Sequence, residues 1–104
     1  MQNVAVQIVR FVDGDFPGCV ECELVDADGR LHVIRDKVPI LTVERLDATS
    51  RYPTPGVVRC EIVKRLQDEK GRELVRICTE KPDGIESTEG LHEFTVTASL
   101  LVGA

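Results

Sequence analysis

The chain has no tryptophan, only four aromatic residues, no long apolar run and no surplus of positive charge, and each of these shortages excludes something. The longest unbroken apolar stretch, Val38-Pro39-Ile40-Leu41, is far too short for a membrane span of about 20 residues. The start, Met1 to Gln7, lacks the basic opening and apolar core of a secretory leader, so a cytoplasmic setting with no membrane partner is expected. A net charge of −5 leaves too little Lys and Arg to neutralise a phosphate backbone, and Phe11, Phe16, Tyr52 and Phe94 do not interleave with bases as a stacking platform requires. No nucleic-acid partner is expected. The sequence also lacks the G-x-S-x-G elbow, the phosphate-binding P-loop, the dinucleotide fingerprint and H-E-x-x-H, which counts against an enzyme.

What the chain does contain is a near repetition. Pro17-Gly18-Cys19-Val20-Glu21-Cys22-Glu23-Leu24-Val25 returns as Pro55-Gly56-Val57-Val58-Arg59-Cys60-Glu61-Ile62-Val63, with six of nine positions identical and a Leu/Ile exchange at a seventh. Each copy runs through a turn ending in Gly-Arg into a second extended stretch, so the pattern reads as a duplicated β-hairpin, residues 17–39 and 55–82. Val20, Cys22 and Leu24 alternate with Glu21 and Glu23, the period of a half-buried strand. Gly29 suits the positive φ of such a turn. The second copy has longer arms, and its turn, Gln67 to Gly71, reads as three residues longer than the first. Insertions are best tolerated in such a turn.

Flanking strands are expected over residues 3–12, with Val4, Val6 and Ile8 on one face and Val9 and Phe11 on the other, and over His92 to Ala98. One helical turn is expected near residues 42–47, capped by Thr42 and formed by Ile40, Val43 and Leu46, with Leu41 as a further member. About six strands with apolar residues on both faces favour closure, hence an all-β chain of one domain, residues 1–104, forming a small antiparallel β-barrel or a rolled sandwich. In that arrangement the N- and C-terminal strands complete the wall. A homodimer is expected if Val9 and Phe11 are left uncovered.

Four cysteines raise a zinc reading, with Cys19 and Cys22 as a C-x-x-C pair and Cys60 and Cys78 completing the set. Residues three apart in a strand face opposite ways, and Cys22 and Cys60 share one repeat position between apolar neighbours. They therefore read as reduced core thiols, with no metal and no cofactor expected. Asp26-Ala27-Asp28-Gly29 starts like a calcium loop but lacks the later ligands, and reads as a turn. His32 and His92 read as partly exposed strand residues.

Function is sought outside the repeat. The stretch Glu80 to Glu93 gathers five carboxylates around Gly84-Ile85-Glu86-Ser87, with Ile85 as an anchor, and Asp83, Glu86, Ser87 and Glu89 are its candidate binding residues. Asp36 and Lys37, opening the 36–54 connection, are candidates of the same kind. The resulting expectation is a non-catalytic module that binds a protein partner through these loops. The alternative is a small-ligand or metal-binding protein, or an enzyme, using the acidic loop or the thiols. Val20 to Pro39, with Asp28-Gly29-Arg30-Leu31-His32 ahead of Pro39, is similar to part of the C-terminal β-barrel of translation elongation factors. The resemblance spans about a fifth of the chain and carries no functional residue across.

Overall fold

The computed structural model describes residues 2–15 and 17–102; Phe16, within the expected first turn, and the terminal residues 1, 103 and 104 of the expected domain lie outside them. Strand β1 (Gln2–Asp13) is followed by β2 (Cys19–Val25), β3 (Leu31–Lys37), a single helical turn α1 (Val38–Leu41), β4 (Thr54–Gln67), β5 (Glu73–Cys78), β6 (Glu93–Thr97), a 3-10 turn at Ala98–Leu100 and the two-residue β7 (Leu101–Val102). The order in the sheet is β3-β2-β1-β4-β5-β6, all neighbours antiparallel. Six principal strands thus curl into a half-barrel, as the alternation in the sequence requires.

β1 is the central strand, not a wall piece. Its first half pairs with β4, from Gln2 opposite Cys60 to Ile8 opposite Thr54, and its second half pairs with β2, ending at Asp13 opposite Cys19. Among the described residues the C-terminal strand pairs with it through Asn3 with Val102 and Val4 with Leu101. Val4, Val6 and Ile8 are buried inside, with Val20, Cys22, Leu24, Ile34, Val58 and Cys60 facing them. Burying one such aliphatic side chain is worth about 1.5–3 kcal/mol relative to leaving it exposed. A register shift between Ile8 and Arg10 reverses the alternation of β1, so Phe11, expected on the other face with Val9, instead lies opposite buried Val20 and packs partly buried against the core.

The gap between β3 and β6 is closed without a regular ladder. The Ala27 N–H donates to the Thr95 carbonyl and the Thr88 N–H to the Val33 carbonyl, both at 2.8 Å, so residues 88–95 run antiparallel to 27–33. His32 lies in this seam and is buried at 4% exposure, contrary to the sequence expectation. Its ring meets Phe94 edge-on with centroids 4.9 Å apart, and its Nε2 lies 2.8 Å from Asp26 Oδ2. The aromatic partner and the turn carboxylate both come from distant positions in the chain, which is why local alternation placed His32 nearer the surface.

The two hairpin turns make the same hydrogen bonds. Asp26 Oδ1 accepts from the N–H groups of Asp28 and Arg30, and Asp68 Oδ1 accepts from those of Lys70 and Arg72, while Gly29 and Gly71 take φ values of 81° and 78°. The turns are therefore equal in length, so the expected insertion in the second turn is corrected: the extra residues number four, Lys64 to Gln67, and all belong to β4, which gives the second copy its longer arm.

The helical turn is also displaced. It occupies Val38–Leu41 instead of residues 42–47, with Pro39 in the first turn, where its missing N–H costs no bond and its fixed φ suits the helix. Thr42 is already extended and ends the turn. Val38 and Leu41 are buried, so α1 covers one end of the barrel. It seats against the repeated Pro-Gly: a Cβ on Gly56 would lie 2.8 Å from Ile8 Cδ1 and 3.0 Å from the Leu41 carbonyl.

Candidate functional site

The acidic stretch is a clasp built around Thr79, which is fully buried. The Thr79 N–H donates to the His92 carbonyl (2.8 Å), its Oγ1 donates to the Ile85 carbonyl (2.8 Å), and the Ile85 N–H returns to the Thr79 carbonyl (3.0 Å). Ile85, at 1% exposure, anchors the loop as its apolar character between charged neighbours implied. Ser87 is buried as well, its Oγ accepting from the N–H groups of Glu89 and Leu91. The loop is held by its own backbone and then by the seam bond from Thr88.

The candidate carboxylates point to different places. Asp83, whose side chain is 10% exposed, is held bidentately by Arg59 of β4, with Nη2 to Oδ1 at 2.6 Å and Nε to Oδ2 at 3.0 Å. Glu89 reaches Arg30 on the first hairpin at 3.0 Å, an exposed pair of the kind worth about 0–1 kcal/mol. Glu86 is exposed and makes no ion pair among the described residues. Asp36 and Lys37 sit far along β3, where the chain enters α1, and the Lys37 N–H donates to Asp36 Oδ1 at 2.7 Å. The loop meets β3 at Val33, so the six candidates form two separate groups.

At the α1 end the surface is hollow. An open cleft of about 700 Å³ is lined by the apolar Pro17, Val38, Pro39, Val43 and Leu46, with Glu44 and Arg45 among its polar lining. Val43, expected within a helical turn, is fully exposed. The segment beyond it is pinned: Asp47 Oδ1 accepts from the Thr49 N–H (2.8 Å) and Oγ1 (2.6 Å), and Tyr52 Oη donates to the Asp47 carbonyl (2.7 Å). At the same end β1 has no pairing strand on its β4 side beyond Ile8, among the described residues, so Arg10 to Asp13 present an open edge.

All four cysteines are free. Cys22 and Cys60 are fully buried, and burial pushes their thiols up to about 12 and about 11, as core groups should behave. Cys19 is partly buried and its thiol is raised chiefly by burial, with Asp36 and Asp13 adding to it. Cys78 keeps different company, standing with Glu80 and His92. Sequence spacing hid that group, because His92 reaches it only through the clasp.

No protein family, curated protein or solved structure matches the chain. No helix among the described residues is long and apolar enough to cross a membrane.

Proposed function

We propose that the chain is a non-catalytic β-barrel module that binds an extended, apolar segment of a protein partner at the α1 end, in a cytoplasmic setting. The observation that carries this reading is the pairing of an apolar cleft with a fully exposed valine, Val43. An apolar lining with charged residues around it is the anatomy of a recognition surface. The open edge of β1 favours an extended occupant, since such a segment can add to unpaired backbone groups while placing alternate side chains in the cleft. The acidic loop serves this function only indirectly, because Asp83 is engaged by Arg59, Ser87 by the backbone of its own loop and Glu89 by Arg30.

Covering Val43 is worth about 1.5–3 kcal/mol, or roughly ten- to hundredfold in affinity. Selection of displayed peptides on the folded protein is the test. Wild type should enrich peptides with an apolar centre, and Val43→Asp should bind them at least about tenfold more weakly while Glu86→Lys binds them unchanged. Equal binding by Val43→Asp, or loss of binding in Glu86→Lys alone, rejects the reading. Concentration-dependent light scattering that responds to Val43→Asp would instead make a second copy of the chain the occupant.

A further inference from the structure

Three metal-ligating side chains of different chemistry converge on the outer surface where β5 ends. Cys78 is the last residue of β5 and Glu80 follows two positions later, so in extended backbone both lie on the face opposite the buried Thr79. His92 stands across the clasp, at a separation set by the bond from the Thr79 N–H to the His92 carbonyl. One donor atom from each, the Cys78 Sγ, a Glu80 carboxylate oxygen and a His92 ring nitrogen, all lie within 4.8 Å of one another. His92 Nε2 and Glu80 Oε2 are 4.0 Å apart.

We propose that Cys78, Glu80 and His92 form a binding site for a zinc-type divalent cation, with three protein ligands and a fourth position open to water. At zinc bond lengths of about 2.0–2.3 Å, tetrahedral geometry sets ligand atoms roughly 3.3–3.6 Å apart. The observed spacing is wider by a movement that a side-chain rotation supplies, and the Glu80 side chain, 67% exposed, is unencumbered enough to make it. The donor set selects the metal. Calcium and magnesium take oxygen ligands, whereas a sulfur, an imidazole and a carboxylate together suit zinc and its neighbours. Cys22 and Cys60 are sealed in the core and take no part.

The surroundings favour positive charge. In the register Cys78 lies between Glu61 on β4 and Glu93 on β6, and among the described residues only Glu93 has a cation paired with it, Arg76 at 3.1 Å. On binding, a zinc–sulfur bond forms and the thiol proton passes to solvent, with no change of oxidation state. The backbone that carries the ligands is already fixed by Thr79, so little ordering entropy opposes binding.

The test uses the full, reduced, metal-free chain, titrated with Zn²⁺ by calorimetry and with Co²⁺ by absorbance. Wild type should bind one ion, and the cobalt form should show a thiolate-to-metal charge-transfer band. Cys78→Ser should abolish the band, and His92→Gln should weaken binding by at least about tenfold, given that even outer-shell partners of a metal are worth 10–100-fold. Cys19→Ser should change neither. Circular dichroism of each variant controls for folding, and all three positions are at least partly exposed. Binding that survives Cys78→Ser, that follows Cys19 instead, or that is absent or non-stoichiometric in the wild type overturns the proposal.

Discussion

Replacing Thr79 by Val isolates the bond on which the clasp depends. The hydroxyl carries one proton and two carbonyls compete for it, Ile85 at 2.8 Å and His92 at 3.3 Å, so it is spent on Ile85. The His92 carbonyl retains the Thr79 N–H, and only the Ile85 carbonyl is orphaned by the substitution. Val has nearly the shape of Thr, so no large cavity opens around this fully buried side chain. The cost is then that of one buried acceptor left without a partner, about 1–3 kcal/mol. For a chain of this size each kcal/mol lowers Tm by about 4–8 °C. Urea unfolding should show the loss as a lower midpoint with unchanged slope. Amide exchange should locate it, with Ile85, Ser87 and Thr88 losing more protection than β1. A change below about 0.5 kcal/mol with Thr88 protection intact would refute the role given to Thr79.

Two further substitutions probe the scaffold. Gly56→Ala should cost about 1–3 kcal/mol by overpacking, because the new methyl meets buried Ile8 and the backbone carbonyl of Leu41; full stability in chemical denaturation would mean that α1 does not press on the sheet. Glu21 joins Arg10 and Arg35 across three strands, and the hydrogen bond from Arg10, assisted by Arg35 against the opposing effect of burial, holds its carboxyl below the ordinary 4.5. A depressed carboxyl stabilises the fold above its unfolded value, and that contribution is lost as pH falls through the folded value. Glu21→Gln should therefore be less stable than wild type at pH 7, with the gap closing as pH falls below 4.5; a gap independent of pH would contradict the assignment.

Much of the scaffold was legible because it is local. Val20, Cys22 and Leu24 alternate with Glu21 and Glu23, Val4, Val6 and Ile8 recur at every second position, and each set is buried as a face. The repeated thiols, Cys22 and Cys60, pack as small apolar groups at matching positions. What local pattern does not carry is the meeting of distant segments. Alternation assigns no partner to His32, which is buried by Phe94 and Asp26 across the seam. Helical spacing in Ile40, Val43 and Leu46 suggests one turn through all three, yet Pro39 starts the turn early and leaves Val43 outside. The acidic loop was legible as a cluster of charge but not as a clasp, because its arginine partners, Arg30 and Arg59, lie on other elements. The same cause concealed the nearness of Cys78 to His92.

On the proposed reading the clasp of residues 79–92 braces the barrel and the α1 end takes the partner. The most direct measurement is an amide chemical-shift footprint of a selected apolar peptide on the labelled protein. The predicted footprint covers Arg10 to Asp13 and Val38 to Asp47, leaving Asp83 to Glu89 unmoved. Shifts centred on Asp83 to Glu89, with Val43 and its neighbours silent, would contradict it.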